Sequence, residues 1–424
     1  MNTTTIYKLT SLPTIIISLI FFDSFFVYFG RVLTGNILAV NFIIPILLLV
    51  VLFTKGSKYF LPPEKYLVSL TLCSLGFLMG AAIIDQYGFH RVLETGSAAS
   101  AFLAGYIYTR WNENKKLTMM ILIIVGLAYS ILCTIALFKV SPHYFPVIIK
   151  LWAFKGSLIE RPEITTDQNF QIFYLLPVVI TVVMCSRTIE YLSWAIGTAL
   201  SLYVISELQT RSGLLVLFGA ALLSVISPLF IKGTSKKKII GLISIISACT
   251  ILAIPIIIKF AHNIIIRFTE TDYSTGIGRL ESFTYLFDKV YNPLWWLPRG
   301  NSEFIQLTGN IPHSNLTAIF MDGGILSLGS WIVMSIIPLY NLGILFLKKK
   351  LDQHEAMIFI GALSMFIIQL SLNVPLMDSI WLWSGLALGT YLHHQYRSHE
   401  VTYDEIAEDT PKINTEKYSG VKLK

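Results

Sequence analysis

The chain has 424 residues, of which 54% are hydrophobic and 13% are charged, and its formal net charge is +7. A soluble domain carries about twice that share of charged residues. Too little polar material is present to cover a water-soluble core of this size. Basic stripes interleaved with aromatic residues are absent, so the positive charge does not indicate nucleic-acid binding. The composition therefore predicts an integral membrane protein.

Apolar blocks long enough to cross a bilayer follow one another along the chain. The first block lacks a small-residue cleavage site, so we expect a retained helix rather than a cleaved signal. We predict an all-α polytopic fold of about 12 transmembrane helices. The spans are expected near residues 12–30, 36–53, 66–84, 95–109, 118–138, 169–185, 191–206, 213–231, 239–258, 316–345, 356–372 and 379–392.

Lysine and arginine residues are distributed unequally between the two sides of this arrangement. An even number of spans puts both termini on one side, and that side holds 20 of the 32 Lys and Arg residues. Because short cytoplasmic connections are enriched in cations, we expect both termini to be cytoplasmic. Residues 1–396 would then form a single transmembrane domain, and residues 397–424 a polar, disordered cytoplasmic tail.

Two connections on the opposite, external side are too long to be simple turns. They run from about residue 139 to 170 and from about 259 to 313, whereas most connections span a handful of residues. Both contain aromatic, amphipathic stretches, such as the pair Trp295 and Trp296, which are typical of helices at a membrane interface. Long ordered loops are usually functional, so we expect the site on this side.

Familiar motifs of soluble enzymes are missing from the sequence. It contains no Walker loop and no GxGxxG, HExxH or GxSxG motif. The four cysteines lie inside apolar blocks without a CxxC pair, as buried small hydrophobic residues do. His354 lies in a basic connection, where we expect it to be solvated. The sequence predicts neither a metal site nor a cofactor.

Two arginines on the predicted external side are candidates for binding an anion. Arg211 occupies a polar interruption between two apolar blocks, and Arg279 follows the glycines Gly276 and Gly278. A guanidinium binds phosphate oxygens in a planar, bidentate arrangement. The glycines would suit a helix start, whose N–H groups also favour anions. The alternatives are snorkelling to lipid headgroups for Arg211 and an ordinary loop position for Arg279.

Two further polar residues stand at predicted external helix ends. His313 lies just before the apolar block that begins at Leu316, and Asp378 lies just before the last predicted span. An imidazole titrates near neutral pH and can accept a proton from a hydroxyl group. Asp378 would orient this imidazole or one of the arginines. For both residues the alternative is a polar cap on a helix.

The order of these residues resembles the O-antigen ligase and O-antigen polymerase superfamily. The resemblance covers roughly the second half of the chain, and Ser327 stands where glycine or threonine is more usual. The similar segments are Gln209-Thr210-Arg211-Ser212-Gly213-Leu214-Leu215, Gly278-Arg279-Leu280, and His313-Ser314-Asn315-Leu316 running into Met321-Asp322-Gly323-Gly324.

This resemblance implies a GT-C-like fold and metal-independent glycosyl transfer at the outer face of a bacterial inner membrane. The donor would be a glycan on undecaprenyl pyrophosphate, and the acceptor a sugar hydroxyl of the lipid A–core. By the same resemblance, Arg211 and Arg279 would bind the pyrophosphate, and His313 would be the catalytic base. Asp378 would support them, and no cofactor would be needed.

Three functions remain as alternatives at this point. An O-antigen ligase is favoured by the histidine motif with its following glycine and by the dominant loop before it. A polymerase would use another lipid-linked repeat unit as its acceptor. A transporter ranks third, because transporters usually place paired ionisable groups at mid-membrane. Here Asp23 lies in the first span, and the other charges gather at one face.

Overall fold

The structure is a computed structural model with helices and turns throughout its described part. Within those residues there is no strand, so an all-α fold is confirmed for them. The spans predicted at 12–30 and 36–53, the loop at 139–170 and the tail at 397–424 lie outside the described residues. The described residues are 64–84, 102, 106, 124, 179–180, 183, 191–192, 194–196, 211–231, 233–235, 239–241, 243–244, 247, 274–300, 302–308, 312, 314–371, 382 and 385–392.

Four of the predicted spans correspond to bounded helices, namely those near 66–84, 213–231, 316–345 and 356–372. Two further helices lie in the predicted loop before residue 313, and short 3-10 turns follow the second and third helices at Ser227–Leu229 and Pro293–Trp295. The helices are α1 (Glu64–Ile84), α2 (Arg211–Ile226), α3 (Ser274–Val290), α4 (Ser302–Thr308), α5 (Asn315–Leu347) and α6 (Gln353–Ser371).

Two of these helices, α1 and α5, are long and apolar enough to cross a membrane, by length and composition. Each has large apolar side chains that are not covered by protein. Val68 and Ile83 on α1 are 55% and 56% exposed, and Ile336 and Tyr340 on α5 are 48% and 66% exposed. The core helix of a soluble protein would bury most such side chains, so these faces favour contact with lipid. The number of spans, about 12, stays a prediction.

The most extensive helix contact in the described fold joins α1 to α5. A side chain at Gly76 would overlap the Ser327 hydroxyl, and one at Gly80 would overlap the Asp322 carbonyl oxygen. Small residues four apart allow membrane helices to approach this closely. The Ser327 hydroxyl also donates a hydrogen bond of 2.8 Å to the Cys73 carbonyl oxygen. Since position 73 pairs with 327 and position 80 with 322, α1 and α5 are antiparallel.

The end of α2 lies beside the end of α5. The rings of Phe230 and Phe346 have centroids 5.2 Å apart, and Phe346 in turn lies 5.4 Å from Phe359 near the start of α6. Helix α2 also packs on α6, which follows α5 through a short turn. These contacts favour the same direction for α2 and α5. A lysine run follows each of them, at residues 236–238 and 348–350.

The expectation that His354 is solvated was wrong. His354 is only 6% exposed, because α6 begins at Gln353 rather than after the histidine. The Glu355 backbone N–H donates to the Asp352 carboxylate at 2.8 Å, and the Asp352 N–H donates to the Glu355 carboxylate at 3.0 Å. This reciprocal capping box starts the helix early and draws His354 into the protein interior. Cys73 is buried and free, as predicted.

Candidate functional site

Helix α5 is broken at Gly324, whose backbone has φ 67° and ψ −167°. Residues other than glycine are essentially excluded from this conformation. A side chain at Gly324 would also overlap the Trp296 carbonyl oxygen and would lie 3.2 Å from Pro298 Cδ. The break divides α5 into a short segment, residues 315–323, and a long segment, residues 325–347.

The loop that follows α3 provides hydrogen-bond partners for the backbone groups at this break. In a continuous helix the Ile325 N–H would donate to the Met321 carbonyl oxygen. Here the Ile325 N–H donates to the Trp296 carbonyl oxygen at 2.9 Å. The Met321 oxygen accepts instead from the N–H groups of Arg299 and Gly300, each at 2.9 Å. Non-helical backbone away from water requires such protein partners. The loop and the short segment are therefore joined by backbone hydrogen bonds.

Two cationic side chains contact the Trp295 ring in the same loop. Lys289 Nζ lies 3.6 Å and Arg299 Cζ lies 4.2 Å from the centroid of the Trp295 ring. The Arg299 guanidinium also donates a hydrogen bond of 2.9 Å to the Leu294 carbonyl oxygen. The sequence predicts Trp295 at an interface but no role for these cations, because their convergence on one ring depends on how the loop folds.

The short segment of α5 is enclosed by protein. Each of its residues is buried except Leu316, which is half-buried. Ser314, Asn315, Thr317 and Asp322 lie in or directly before this segment and are at most 3% exposed. Burying polar groups costs free energy unless they are compensated by partners. A concentration of polar side chains here indicates a role beyond packing.

Helix α3 reaches the short segment through a buried side-chain hydrogen bond. The Thr317 hydroxyl donates to the Ser282 carbonyl oxygen at 2.9 Å, and both residues are fully buried. Arg279 lies three residues before Ser282 in the same helix, which is about 4.5 Å along the helix axis. The contact therefore brings the Arg279 turn of α3 beside the start of α5. His313 lies outside the described residues, directly before the buried Ser314.

Three buried polar atoms at the start of α5 have no hydrogen-bond partner. They are Ser314 Oγ and both polar atoms of the Asn315 amide, Oδ1 and Nδ2. Ser314 occupies the N-cap position, yet its side chain makes no capping hydrogen bond. A buried polar group left without a partner costs about 1–3 kcal/mol. The start of α5 thus presents an unused donor and unused acceptors next to His313 in the chain.

For the other predicted site residues, Arg211, Arg279 and Asp378, the structure gives at most the position in a helix. Arg211 is the first residue of α2, so it opens an apolar helix as expected. Helix α3 begins at Ser274, so Gly276 lies in its first turn and Arg279 in its second. Among the described helices, α2 packs chiefly on α6, whereas α3 packs on α5. Asp378 lies outside the described residues.

Sequence reasoning missed the break in α5 and gave Ser314 and Asn315 no individual roles. One feature could have pointed to the break, namely the Gly323-Gly324 pair inside an apolar block longer than the roughly 20 residues that a span requires. The docking of the loop could not have been found this way, because its hydrogen bonds are formed by backbone groups.

Within the described part of the chain, no group of three or more His, Cys, Asp or Glu side chains is placed to hold a metal ion. Metal independence therefore stays a prediction. Comparison with family models, with curated proteins and with solved structures found no match for this chain. The resemblance to O-antigen ligases accordingly rests on the short motifs quoted above.

Proposed function

We propose that the chain is an O-antigen ligase, a metal-independent glycosyltransferase of the bacterial inner membrane. It transfers a glycan from undecaprenyl pyrophosphate to a sugar hydroxyl of the lipid A–core at the external face. The observation that supports this most is the Thr317–Ser282 hydrogen bond. It joins the helix that carries Arg279 to the buried polar start of α5, which directly follows His313 in the chain.

The relative directions of the helices support the proposed orientation. The lysine runs at 236–238 and 348–350 follow the neighbouring ends of α2 and α5, as expected for two cytoplasmic connections. Arg211 begins α2 at the opposite end, the same end at which α5 starts. This arrangement favours a common external location for Arg211, Arg279 and His313, with both chain termini in the cytoplasm.

The proposed reaction assigns one task to each group. The His313 imidazole accepts the proton of the acceptor hydroxyl as its oxygen attacks the anomeric carbon of the donor glycan. The bond between that carbon and the pyrophosphate oxygen breaks, and undecaprenyl pyrophosphate leaves with the electron pair. Arg211 and Arg279 stabilise the negative charge that develops on the leaving group. Asp378 is the proposed support for the imidazole or for an arginine.

The direct test uses purified full-length protein in lipid nanodiscs, with an undecaprenyl-pyrophosphate-linked glycan as donor. The acceptor is either lipid A–core or a second lipid-linked repeat unit, and EDTA is present throughout. We expect transfer to lipid A–core. Transfer only to the repeat unit would identify a polymerase instead, and transfer to neither, with intact donor and folded protein, would contradict the glycosyltransferase proposal.

A deletion strain offers an independent measurement in cells. Loss of a ligase should remove every O-antigen-bearing lipopolysaccharide band while lipid-linked polymer accumulates. Loss of a polymerase should leave core bearing one repeat unit. An unchanged banding pattern in a strain that makes O-antigen would contradict both functions.

A further inference from the structure

We propose that Ser314 and Asn315 form a binding site for neighbouring hydroxyl groups of the acceptor sugar. The inference rests on the proposed function and makes its acceptor side specific. Its basis is the set of three unpartnered polar atoms at the start of α5, in side chains that are 0% and 1% exposed.

The chemistry of these atoms selects the ligand. The Asn315 amide has an unused donor, Nδ2, and an unused acceptor, Oδ1. The Ser314 hydroxyl can donate or accept a hydrogen bond. A phosphate or pyrophosphate group only accepts hydrogen bonds, so it would leave Oδ1 facing a negative charge. Two neighbouring sugar hydroxyls both donate and accept, and they satisfy the amide as a pair. The site therefore fits a neutral diol rather than the anionic part of the donor.

The placement of the site explains why such binding would matter. Ser314 and Asn315 directly follow His313, the proposed base, at the buried start of α5. A diol bound here would hold the adjacent attacking hydroxyl in one position, and correct positioning of reactants lowers the barrier to reaction. The arginines remain assigned to the pyrophosphate. Donor and acceptor are thus recognised by chemically different groups.

A purely structural role for Asn315 is disfavoured because both of its buried amide atoms, Oδ1 and Nδ2, lack partners, whereas in Asn341 only Nδ2 does. An apolar side chain of similar size would fill the same buried position without leaving polar atoms unpaired. Residues kept at a cost to stability are typical of functional sites. Replacement of Asn315 by leucine should therefore leave thermal stability unchanged or higher while it removes sugar binding.

The experiment measures binding without turnover. Saturation-transfer difference NMR on the full-length protein in nanodiscs uses glucose, galactose, mannose and glycero-manno-heptose as probes, with inorganic pyrophosphate as competitor. We expect at least one neutral sugar to bind the wild type, without displacement by pyrophosphate. Asn315→Leu should weaken that binding by roughly tenfold to a hundredfold, as expected for lost buried hydrogen bonds. The acceptor KM should rise by a similar factor.

The matched control is Asn341→Leu on the same helix. Asn341 Nδ2 is also buried without a partner, but it lies in the long segment, 26 residues along the helix from Asn315. This variant should bind sugar like the wild type. The inference is overturned if no probe binds the wild type, if pyrophosphate displaces the sugar, or if Asn315→Leu binds normally.

The outcomes also separate this inference from the proposed function. Sugar binding that depends on Asn315 in a protein that transfers no glycan would support the site and contradict the ligase. Glycan transfer with unchanged sugar binding and unchanged acceptor KM in Asn315→Leu would support the ligase and contradict the site.

Discussion

The two segments of α5 differ in composition and in surroundings, because the short segment carries Asn315, Thr317 and Asp322. The long segment exposes one face, including Ile336 and Tyr340. Its buried Ser335 hydroxyl is satisfied by the Trp331 carbonyl oxygen at 2.6 Å, while Asn341 Nδ2 has no partner. The short segment is enclosed, and it contains or adjoins buried polar groups that lack partners. Gly324 is the boundary between them.

One apolar block can therefore serve two purposes. The long segment, about 23 residues or roughly 35 Å, is sufficient to cross a bilayer core by itself. The short segment is therefore not needed to complete the span, and it is free to present polar groups inside the protein. If the comparison holds, changes at the short segment should impair transfer, whereas matched changes in the long segment should not.

The largest effect is expected at His313, directly before the short segment. A positioned base contributes about 10²–10⁴ in rate, so His313→Asn should lower kcat by about that factor while donor binding persists. Asparagine is a good helix cap, so a capping role predicts nearly normal turnover in this variant. Single-turnover transfer with purified protein distinguishes the two, and wild-type kcat would remove His313 from the reaction.

The arginines should show the next largest effect. Arg279→Lys and Arg211→Lys should each lower the rate about 10²–10³-fold, because an ammonium group cannot reproduce the bidentate contact with pyrophosphate. Arg299→Lys is the matched control, since it makes the same exchange at an arginine that contacts Trp295 and the Leu294 carbonyl oxygen rather than the proposed pyrophosphate. Transfer assays at equal protein levels provide the measurement. Equal activity in all three variants would contradict selective pyrophosphate binding.

The boundary itself can be tested by adding one methyl group. Gly324→Ala should destabilise the protein by about 1–3 kcal/mol from backbone strain alone, and more from overlap with the Trp296 carbonyl oxygen. Gly329→Ala is the control, because nothing lies within 4 Å of the added atom on the same helix. Apparent melting temperature in detergent measures both. Equal melting temperatures would mean that α5 is not broken at Gly324.

The smallest effect is expected for the hydrogen bond between α3 and α5. Thr317→Val should cost about 0.5–1.5 kcal/mol, because the buried hydrogen bond from this hydroxyl to the Ser282 carbonyl oxygen is lost. Ser335→Ala should cost less, since its hydroxyl bonds only to its own helix. Thr317→Val should also raise the KM for the donor by loosening the Arg279 helix. Unchanged stability and KM would show that this contact does not position Arg279.

The positions of α1, α2, α5 and α6 could be predicted within a few residues from the sequence. Apolar block length is a local property, so it does not depend on which helices become neighbours. The Arg211 position at a helix start followed from the same pattern. Several predictions concern residues outside the described part of the chain, namely the first and second spans, Asp378 and His313. They stay predictions.

Only the tertiary structure decided which apolar residues face protein and which are exposed. The break at Gly324 depends on backbone hydrogen bonds to Trp296, Arg299 and Gly300, some 25 residues earlier in the chain. Burial of His354 likewise depends on a capping box and on the packing of α6. Backbone partners chosen across such distances leave no pattern in side-chain composition, which is why the enclosed polar start of α5 emerged only from the fold.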